Sequence, residues 1–318
     1  MEDKPAPLLG DMVINGFRWP PMACDDMPEE LRKFKVRHDD VFIVTYPKSG
    51  THWMTEIMKN IVCGGDLEKV KEYGHTIPLE FFNLFKKYDS FPTDKPRVMM
   101  THVPVDILPK EVFEGKGKVV YVGRNPKDTA VSYWHFLKER RYLEEYEKWE
   151  NFLAAFLKPD MMCGSCYGKI EIGFIIISVM CGSWFDINLK YYEHRDAKNF
   201  LFLTYEEIKL DHKGCVIQLC DFVSRHMTDE QVDLIVNNTT FSSMKSIFTG
   251  ELPVDLNKQL ENLPKLEAIG DPNQKFSVLR KGVVGDWKTQ FTVAQNELFD
   301  EIYNEKMKGS SLRRRILF

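Results

Sequence analysis

The amino-acid sequence predicts an α/β fold in which helices flank a central, mostly parallel sheet. Four short runs of β-branched and aromatic residues have the length of buried strands, and helical patterns follow two of them. Strands that alternate with helices form a parallel sheet with helices on both faces. Because no Gly/Ser linker or long proline-rich stretch divides the chain, we expect residues 1–318 to form a single domain.

The predicted strands occupy residues 41–45, 98–102, 119–122 and 200–204. After the first strand, apolar residues from Met54 to Val62 recur at helical spacing. After the third strand, residues 129–136 contain no helix breaker and follow a proline and an aspartate, which are common at helix starts. Near the C-terminus, Thr292 and Gln295 have the spacing of a capping box, so we expect another helix to begin there.

The charge balance argues against a nucleic-acid partner. The chain has 43 Lys and Arg against 47 Asp and Glu, a net charge of −4 at pH 7, and therefore no global basic field. The first residues lack an apolar signal segment, and the longest apolar run, 172–180, is too short to cross a bilayer. We expect a cytoplasmic protein without membrane contact, whose seven cysteines, including Cys163 and Cys166, are free thiols.

One segment is unlike its surroundings. The tetrapeptide MCGS at residues 162–165 recurs at residues 180–183. A true repeat architecture would need several copies of the unit. We therefore interpret residues 163–180 as a local insertion, of the kind that alternative splicing produces.

The first predicted strand runs directly into the octapeptide YPKSGTHW, from Tyr46 to Trp53. A strand, a tight loop and a helix form the layout of a phosphate cradle, because backbone N–H groups and the helix dipole point at an anion. Lys48 adds a full charge, and Ser49 and Thr51 add hydroxyl donors. The loop is not a Walker A motif, since its lysine precedes the glycine. An ordinary turn with a solvated lysine is the alternative.

Two other segments have the composition of anion sites. The third strand ends in GRNPKD, where Arg124 precedes the helix that carries Ser132, and a guanidinium binds phosphate bidentately. Near the C-terminus, Arg280 and Lys281 are followed by Gly282, which allows close backbone approach to a phosphate. Three separated anion sites fit a nucleotide with two phosphate-bearing positions better than ATP. The domain is therefore expected to have a P-loop-like nucleotide-binding core.

Taken together, these motifs resemble those of the cytosolic sulfotransferases, which transfer a sulfonate group from 3′-phosphoadenosine-5′-phosphosulfate (PAPS) to small acceptors. YPKSGTHW resembles their 5′-phosphosulfate loop, YVGRNPKDTAVSYWHF their 3′-phosphate segment, and RKGVVGDWK their C-terminal motif. The resemblance extends in order from about Gly16 to Arg313. It implies PAPS as co-substrate, no metal, and a small hydrophobic acceptor such as a phenol, a steroid or an aryl amine.

The resemblance also implies roles for individual residues. In the segment THVP, His102 corresponds to the general base, and Lys48 corresponds to the cation that stabilises the leaving phosphate. The implied PAPS ligands are Lys48, Ser49, Gly50, Thr51, His52, Trp53, Arg124, Ser132, Tyr205, Thr239, Phe241, Arg280, Lys281 and Gly282. The implied acceptor pocket contains Phe17, Leu79, Phe82 and Phe136. A short dimer motif is similar to Lys288, Thr292, Val293 and Glu297, which implies a homodimer.

Three features depart from the family pattern. Many members have a lysine two residues before the histidine, where this chain has Met100, although hydroxysteroid-type branches also lack that lysine. The insertion at 163–180 and a long lid at 245–279 alter the acceptor side. The alternative to an active enzyme is therefore a protein that binds PAPS, or its desulfonated product PAP, with little or no turnover. A P-loop nucleoside kinase ranks last because the Walker A motif is absent.

Overall fold

The computed structural model describes residues 13–14, 17–18, 26–74, 76–81, 84–139, 147–157, 181–248 and 279–316. Within these residues, β1 (Val13–Ile14) and β2 (Phe17–Arg18) form a short antiparallel hairpin. A four-stranded parallel sheet consists of β3 (Val41–Thr45), β4 (Val98–Thr101), β5 (Lys118–Gly123) and β6 (Phe200–Thr204). The four strands predicted from the sequence are all present, and the α/β class is confirmed.

The helices in the described part of the chain are α1 (Met27–Arg32), α2 (Thr51–Val62), α3 (Leu67–Glu72), α4 (Lys110–Phe113), α5 (Pro126–Glu139), α6 (Trp149–Leu157), α7 (Trp184–Glu193), α8 (Tyr205–Leu210), α9 (His212–Phe222), α10 (Asp229–Asn238), α11 (Phe241–Phe248), α12 (Val293–Lys306) and α13 (Leu312–Arg315). The helices predicted after the first and third strands are α2 and α5. The predicted capping box is also present, because the Thr292 hydroxyl accepts from the Gln295 N–H and the Gln295 side chain accepts from the Thr292 N–H.

The strand order in the parallel sheet is β4-β3-β5-β6. The chain therefore leaves β3 for β4 on one side and returns to β5 on the other, so the direction of travel across the sheet reverses between β3 and β5. In sheets of this kind, ligands bind beyond the carboxyl ends of the strands at such a switch point. The loops that follow β3 and β5 carry Lys48 and Arg124.

Both faces of the sheet are buried, as a parallel sheet requires. Side chains alternate along β3, so that Val41 and Ile43 pack in one core cluster and Phe42 and Val44 in the other. The first cluster includes the apolar face of α2 and also Met100, whose sulfur accepts from the Thr55 hydroxyl at 3.7 Å. The thioether at the position of the family's lysine is thus part of the core beneath α2.

Some of the segments singled out in the sequence lie outside the described residues. These are the interpreted insertion at 163–180 and residues 249–278 of the expected lid. Of the seven cysteines, Cys24, Cys163 and Cys166 lie outside, whereas Cys63, Cys181, Cys215 and Cys220 are described and are free thiols. None of the helices within the described ranges has the length and apolar character needed to span a bilayer.

Candidate active site

The loop after β3 turns sharply into α2. Lys48 and Gly50 both have positive φ angles, 68° and 104°, and the N–H of Ser49 donates to the carbonyl of Tyr46 at 3.1 Å. A Cβ on Gly50 would lie 3.0 Å from the Tyr205 ring, so both the backbone conformation and the close approach favour glycine. The loop therefore brings the N-terminus of α2 to the carboxyl end of β3, where the backbone donors of its first turn suit an anion.

Arg124 joins this loop to the C-terminal segment. Its guanidinium donates to the carbonyl of Lys48 at 2.8 Å and to the carbonyl of Val283 at 3.3 Å. The same guanidinium lies over the ring of Tyr205, 4.5 Å from the centroid. Three segments that are distant in the sequence therefore meet around one buried cation.

The C-terminal loop is held by two carboxylates that the sequence interpretation did not use. Asp128 on α5 accepts from the backbone N–H of Gly285 at 2.7 Å and of Trp287 at 2.9 Å. Asp286 pairs with Arg280 at 2.6 Å and with Lys281 at 2.7 Å. Burial alone would raise the pKa of Asp286, but the hydrogen bonds from these two cations outweigh burial and lower it. The basic pair is thus oriented by an acidic partner of its own loop.

The aromatic side of the cleft is formed by α2, α8 and the α10–α11 junction. The indole N–H of Trp53 donates to the carbonyl of Thr239 at 2.8 Å, and its ring lies 5.4 Å from that of Tyr205. Phe241 packs directly against Gly282, where an added Cβ would come within 2.3 Å of the ring. These contacts bring four of the implied PAPS ligands, Trp53, Tyr205, Thr239 and Phe241, into one wall beside Arg124. An aromatic wall suits a nucleotide base because bases stack on aromatic rings.

His102 follows β4 and is oriented by the neighbouring strand β3. Its Nδ1 lies 2.9 Å from the carbonyl oxygen of Thr45. Because a carbonyl oxygen only accepts, this contact assigns the proton to Nδ1 and leaves the lone pair of the neutral ring on Nε2. The fully buried Glu80 holds the same turn, accepting from the His102 N–H at 2.9 Å and from the Thr101 hydroxyl at 2.7 Å. A neutral ring in this tautomer can accept a further proton only at Nε2.

The acceptor side begins at α5. The Nζ of Lys48 lies 4.4 Å from the ring centroid of Phe136, and that ring packs on the core cluster that contains the fully buried Leu79. Phe82 lies outside the described residues, and for Phe17 the structure describes only its place in β2. Among the predicted pocket residues whose side chains the structure describes, Phe136 contacts Lys48.

Three buried donors of the loops described above have no hydrogen-bond partner among the described residues: Ser49 Oγ, Arg124 Nε and Arg280 Nε. Leaving such groups unsatisfied in a folded protein is costly. Phosphate and sulfonate oxygens are acceptors only, so they match this set of donors. Within the described part of the chain, no group of three or more His, Cys, Asp or Glu residues could hold a metal ion. The residues present therefore fit an anionic nucleotide.

The profile of the sulfotransferase domain matches residues 38–311. The chain belongs to the sulfotransferase family. It is 35% identical to the amine sulfotransferase of Oryctolagus cuniculus over 287 residues, which cover 90% of this chain and 86% of the rabbit protein. It is 34% identical to sulfotransferase 2A1 of Homo sapiens over 312 residues, 92% of this chain and 94% of the human protein.

Among solved structures, this sulfotransferase is similar to mouse sulfotransferase SULT7A1 complexed with PAP. The TM-score is 0.74 at 33% sequence identity, and the match covers 95% of this chain and 96% of the mouse chain. A complex of retinol dehydratase with retinol and PAP shares the fold, with a TM-score of 0.70 at 19% identity over 93% of this chain and 88% of the other. The fold and the enzyme class predicted from the sequence are therefore confirmed.

Three further predicted site residues of the sulfotransferase lie on α2 and α5. Thr51 shares a 2.7 Å hydrogen bond with Thr45, Ser132 is buried in α5, and the ring of His52 lies 5.1 Å from that of Phe248. The sequence interpretation missed Thr45 and Glu80, which hold His102, and also Asp128, Asp286 and His212. The ring of His212 meets that of Trp53 edge to face, with 5.3 Å between the centroids, and His212 contacts the Thr239 hydroxyl at 3.2 Å. Asp128 lies inside the RNPKD motif, which was the available signal.

Proposed function

We propose that this sulfotransferase uses PAPS to sulfonate a hydroxyl or amine of a small hydrophobic acceptor: a phenol, a steroid or an aryl amine. The observation that carries the proposal is the hydrogen bond from His102 Nδ1 to the Thr45 carbonyl, at the strand end that leads into the loop of Lys48. The PAP held by mouse SULT7A1 supports the donor, and the name of the rabbit amine sulfotransferase supports an amine among the acceptors.

Local charge explains how a protein with a net charge of −4 binds a polyanion. We assign the 5′-phosphosulfate to Lys48, Ser49, Gly50, Thr51 and His52, in the loop before α2. We assign the 3′-phosphate to Arg124, Ser132, Arg280, Lys281 and Gly282, and the adenine to Trp53, Tyr205, Thr239 and Phe241. Arg124 is 6% exposed, so its attraction for phosphate is weakly screened by solvent. The helix N-terminus adds backbone donors to the same side.

When bound, PAPS supplies the sulfonate group. His102 Nε2 accepts the proton of the acceptor hydroxyl or amine while the acceptor oxygen or nitrogen bonds to sulfur and the sulfur–oxygen bond to the phosphate breaks. Lys48 neutralises the negative charge that develops on the departing phosphate oxygen, which is the largest contribution to catalysis in sites of this type. The carbonyl of Thr45 and the carboxylate of Glu80 keep the imidazole in position.

The decisive experiment measures transfer of labelled sulfonate from PAPS to a panel of phenols, steroids and aryl amines. We expect transfer by the wild-type protein, and loss of transfer with retained PAP binding in His102→Ala. His38→Ala is the matched control, because His38 is exposed and precedes β3. Tight PAP binding without transfer to any acceptor would instead support the binding protein with little turnover. Phosphorylation of an acceptor by ATP would support a kinase and contradict the proposal.

We also propose a homodimer through Lys288, Thr292, Val293 and Glu297. These residues are exposed around the start of α12, and Val293 is 75% exposed, which is unusual for an apolar side chain. Sedimentation of the wild-type protein should give a dimer, and Val293→Glu should give a monomer with unchanged circular dichroism. A wild-type monomer at all concentrations would contradict the dimer. The cytoplasmic location expected from the sequence stays a prediction.

A further inference from the structure

Glu206 is a buried carboxylate that the proposed reaction does not use. It lies in the first turn of α8, directly after β6, and is only 6% exposed. Its Oε1 accepts from the backbone N–H of Asn125 at 3.0 Å. Its Oε2 is also buried and has no hydrogen-bond partner within the described ranges. Asn125 immediately follows Arg124, so Glu206 supports the backbone that carries the central cation of the nucleotide site.

The surroundings of Glu206 disfavour its charged form. Burial is the main cause and raises its pKa to about 7, while the hydrogen bond from Asn125 and the charge of Arg124 act in the opposite direction. Asp128, on α5, is a like charge that raises the pKa further. Burial raises the pKa values of two neighbouring phenols, Tyr205 on the same helix and Tyr303 on α12, and the charge of Glu206 raises both further. The free energies of the charged and neutral forms of Glu206 are therefore similar near neutral pH, so one added charge nearby changes their ratio.

We propose that Glu206 takes up a proton when an anionic nucleotide binds at Arg124, and thereby makes the affinity of the site for that nucleotide depend on pH. The inference rests on the proposed PAPS site. A phosphate bound to Arg124 brings negative charge toward the carboxylate of Glu206. It also offsets the positive charge of the guanidinium, which otherwise stabilises that carboxylate. The proton comes from solvent and converts the carboxylate to a carboxylic acid. The hydrogen bond from Asn125 survives, because the carbonyl oxygen of the acid still accepts.

The sign of the pH effect follows from linkage. If binding takes up a proton, affinity falls as pH rises through the range between the pKa values of the free and the bound protein. One proton can change the dissociation constant by at most about tenfold per pH unit. Glu206 is thus a positioning residue with a titratable charge. Its protonation state depends on whether an anion is bound at Arg124.

The test is calorimetric titration of PAP in two buffers of different ionisation enthalpy at about pH 7.5, which counts the protons exchanged on binding. We compare wild type with Glu206→Gln, whose amide oxygen retains the acceptor for Asn125. Protons exchanged by PAP itself and by histidines are common to both proteins, so their difference isolates Glu206. Glu193→Gln is the control, because Glu193 is exposed at the end of α7. We expect greater proton uptake by wild type and by the control than by Glu206→Gln.

Equal proton counts in wild type and Glu206→Gln, with PAP bound by both, would overturn this inference and leave the proposed function intact. Failure of the wild-type protein to bind PAP would instead overturn the proposed function. If Glu206→Gln does not fold, infrared difference spectroscopy of the wild-type protein provides the second measurement. PAP contains no carboxyl group, so binding should increase the C=O stretch of a protonated carboxylic acid. The absence of such a band would contradict proton uptake by Glu206.

Discussion

The ammonium of Lys48 lies over the ring of Phe136, 4.4 Å from its centroid. This contact connects the anion-binding loop after β3 with the residue of α5 that we assign to the acceptor pocket. Cation–π contacts are worth about 0.5–1 kcal/mol at exposed sites and about 2 kcal/mol when desolvated. Because the ring and the nucleotide both attract the same ammonium, occupancy of the acceptor pocket and charge stabilisation at the donor are physically linked.

Phe136→Leu should therefore tighten PAP binding while it weakens acceptor binding. Removing the ring eliminates a competitor for the Lys48 ammonium, and a contact of about 0.5–1 kcal/mol corresponds to a two- to five-fold change in the PAP dissociation constant. The same change removes an aromatic wall from the acceptor side, so KM for a phenol should rise. Calorimetry with PAP and steady-state kinetics measure the two effects. Phe136→Tyr keeps the ring and should leave PAP binding unchanged; weaker PAP binding in Phe136→Leu would contradict this account.

Glu80→Gln should lower kcat more than it affects PAP binding. The carboxylate accepts two hydrogen bonds at the turn of His102, one with each oxygen. The amide of glutamine has one oxygen that can accept, and its NH2 group would oppose the other donor. Hydrogen bonds to a charged group contribute about 1.5–3 kcal/mol, so we expect kcat to fall by about ten- to one-hundred-fold. Single-turnover kinetics and PAP calorimetry separate the two effects. Parallel loss of PAP affinity would show that Glu80 supports the whole cleft and not the histidine alone.

Gly282→Ala should weaken PAP binding and lower Tm, whereas Gly285→Ala should have the smaller effect. Both glycines have positive φ angles, 68° and 84°, so an alanine is strained at either position. Only at Gly282 would the added Cβ collide with the Phe241 ring, whereas at Gly285 it would meet nothing within 4 Å among the described residues. The difference between the two variants therefore measures the cost of the collision. Equal effects on PAP affinity would indicate that backbone strain alone is responsible.

Glu206→Gln should change the pH dependence of stability in a defined direction. The pKa of Glu206 rises from 4.5 to about 7 on folding, so the folded state binds more protons than the unfolded state within this range. The free energy of unfolding of the wild-type protein therefore falls by about 2–3 kcal/mol as pH rises from about 4.5 through about 7. The glutamine variant lacks this loss. Urea unfolding at about pH 5 and pH 8 should show the variant gaining relative to wild type at the higher pH. If the difference in unfolding free energy between variant and wild type is the same at both pH values, Glu206 does not titrate with a raised pKa.

The sequence predicted correctly those structural elements that local residue composition determines. Continuous apolar runs predicted the buried strands because both faces of a parallel sheet are covered. The loops of Lys48 and Arg124 follow strand ends, as the sequence predicted, and their role as an anion cradle stays a prediction. Asp128 and Asp286 were overlooked because the sequence does not show which basic or backbone groups an acidic residue pairs with.

By itself, the sequence determined the parallel sheet and the family, since these depend on short-range patterns of residue type. The tertiary structure alone decided how His102 is held. Its partners Thr45 and Glu80 are 57 and 22 residues away along the chain, and the pairing of β3 with β4 brings Thr45 beside it. The tautomer of an imidazole depends on which nitrogen meets an acceptor, and that geometry exists only after the strands have assembled.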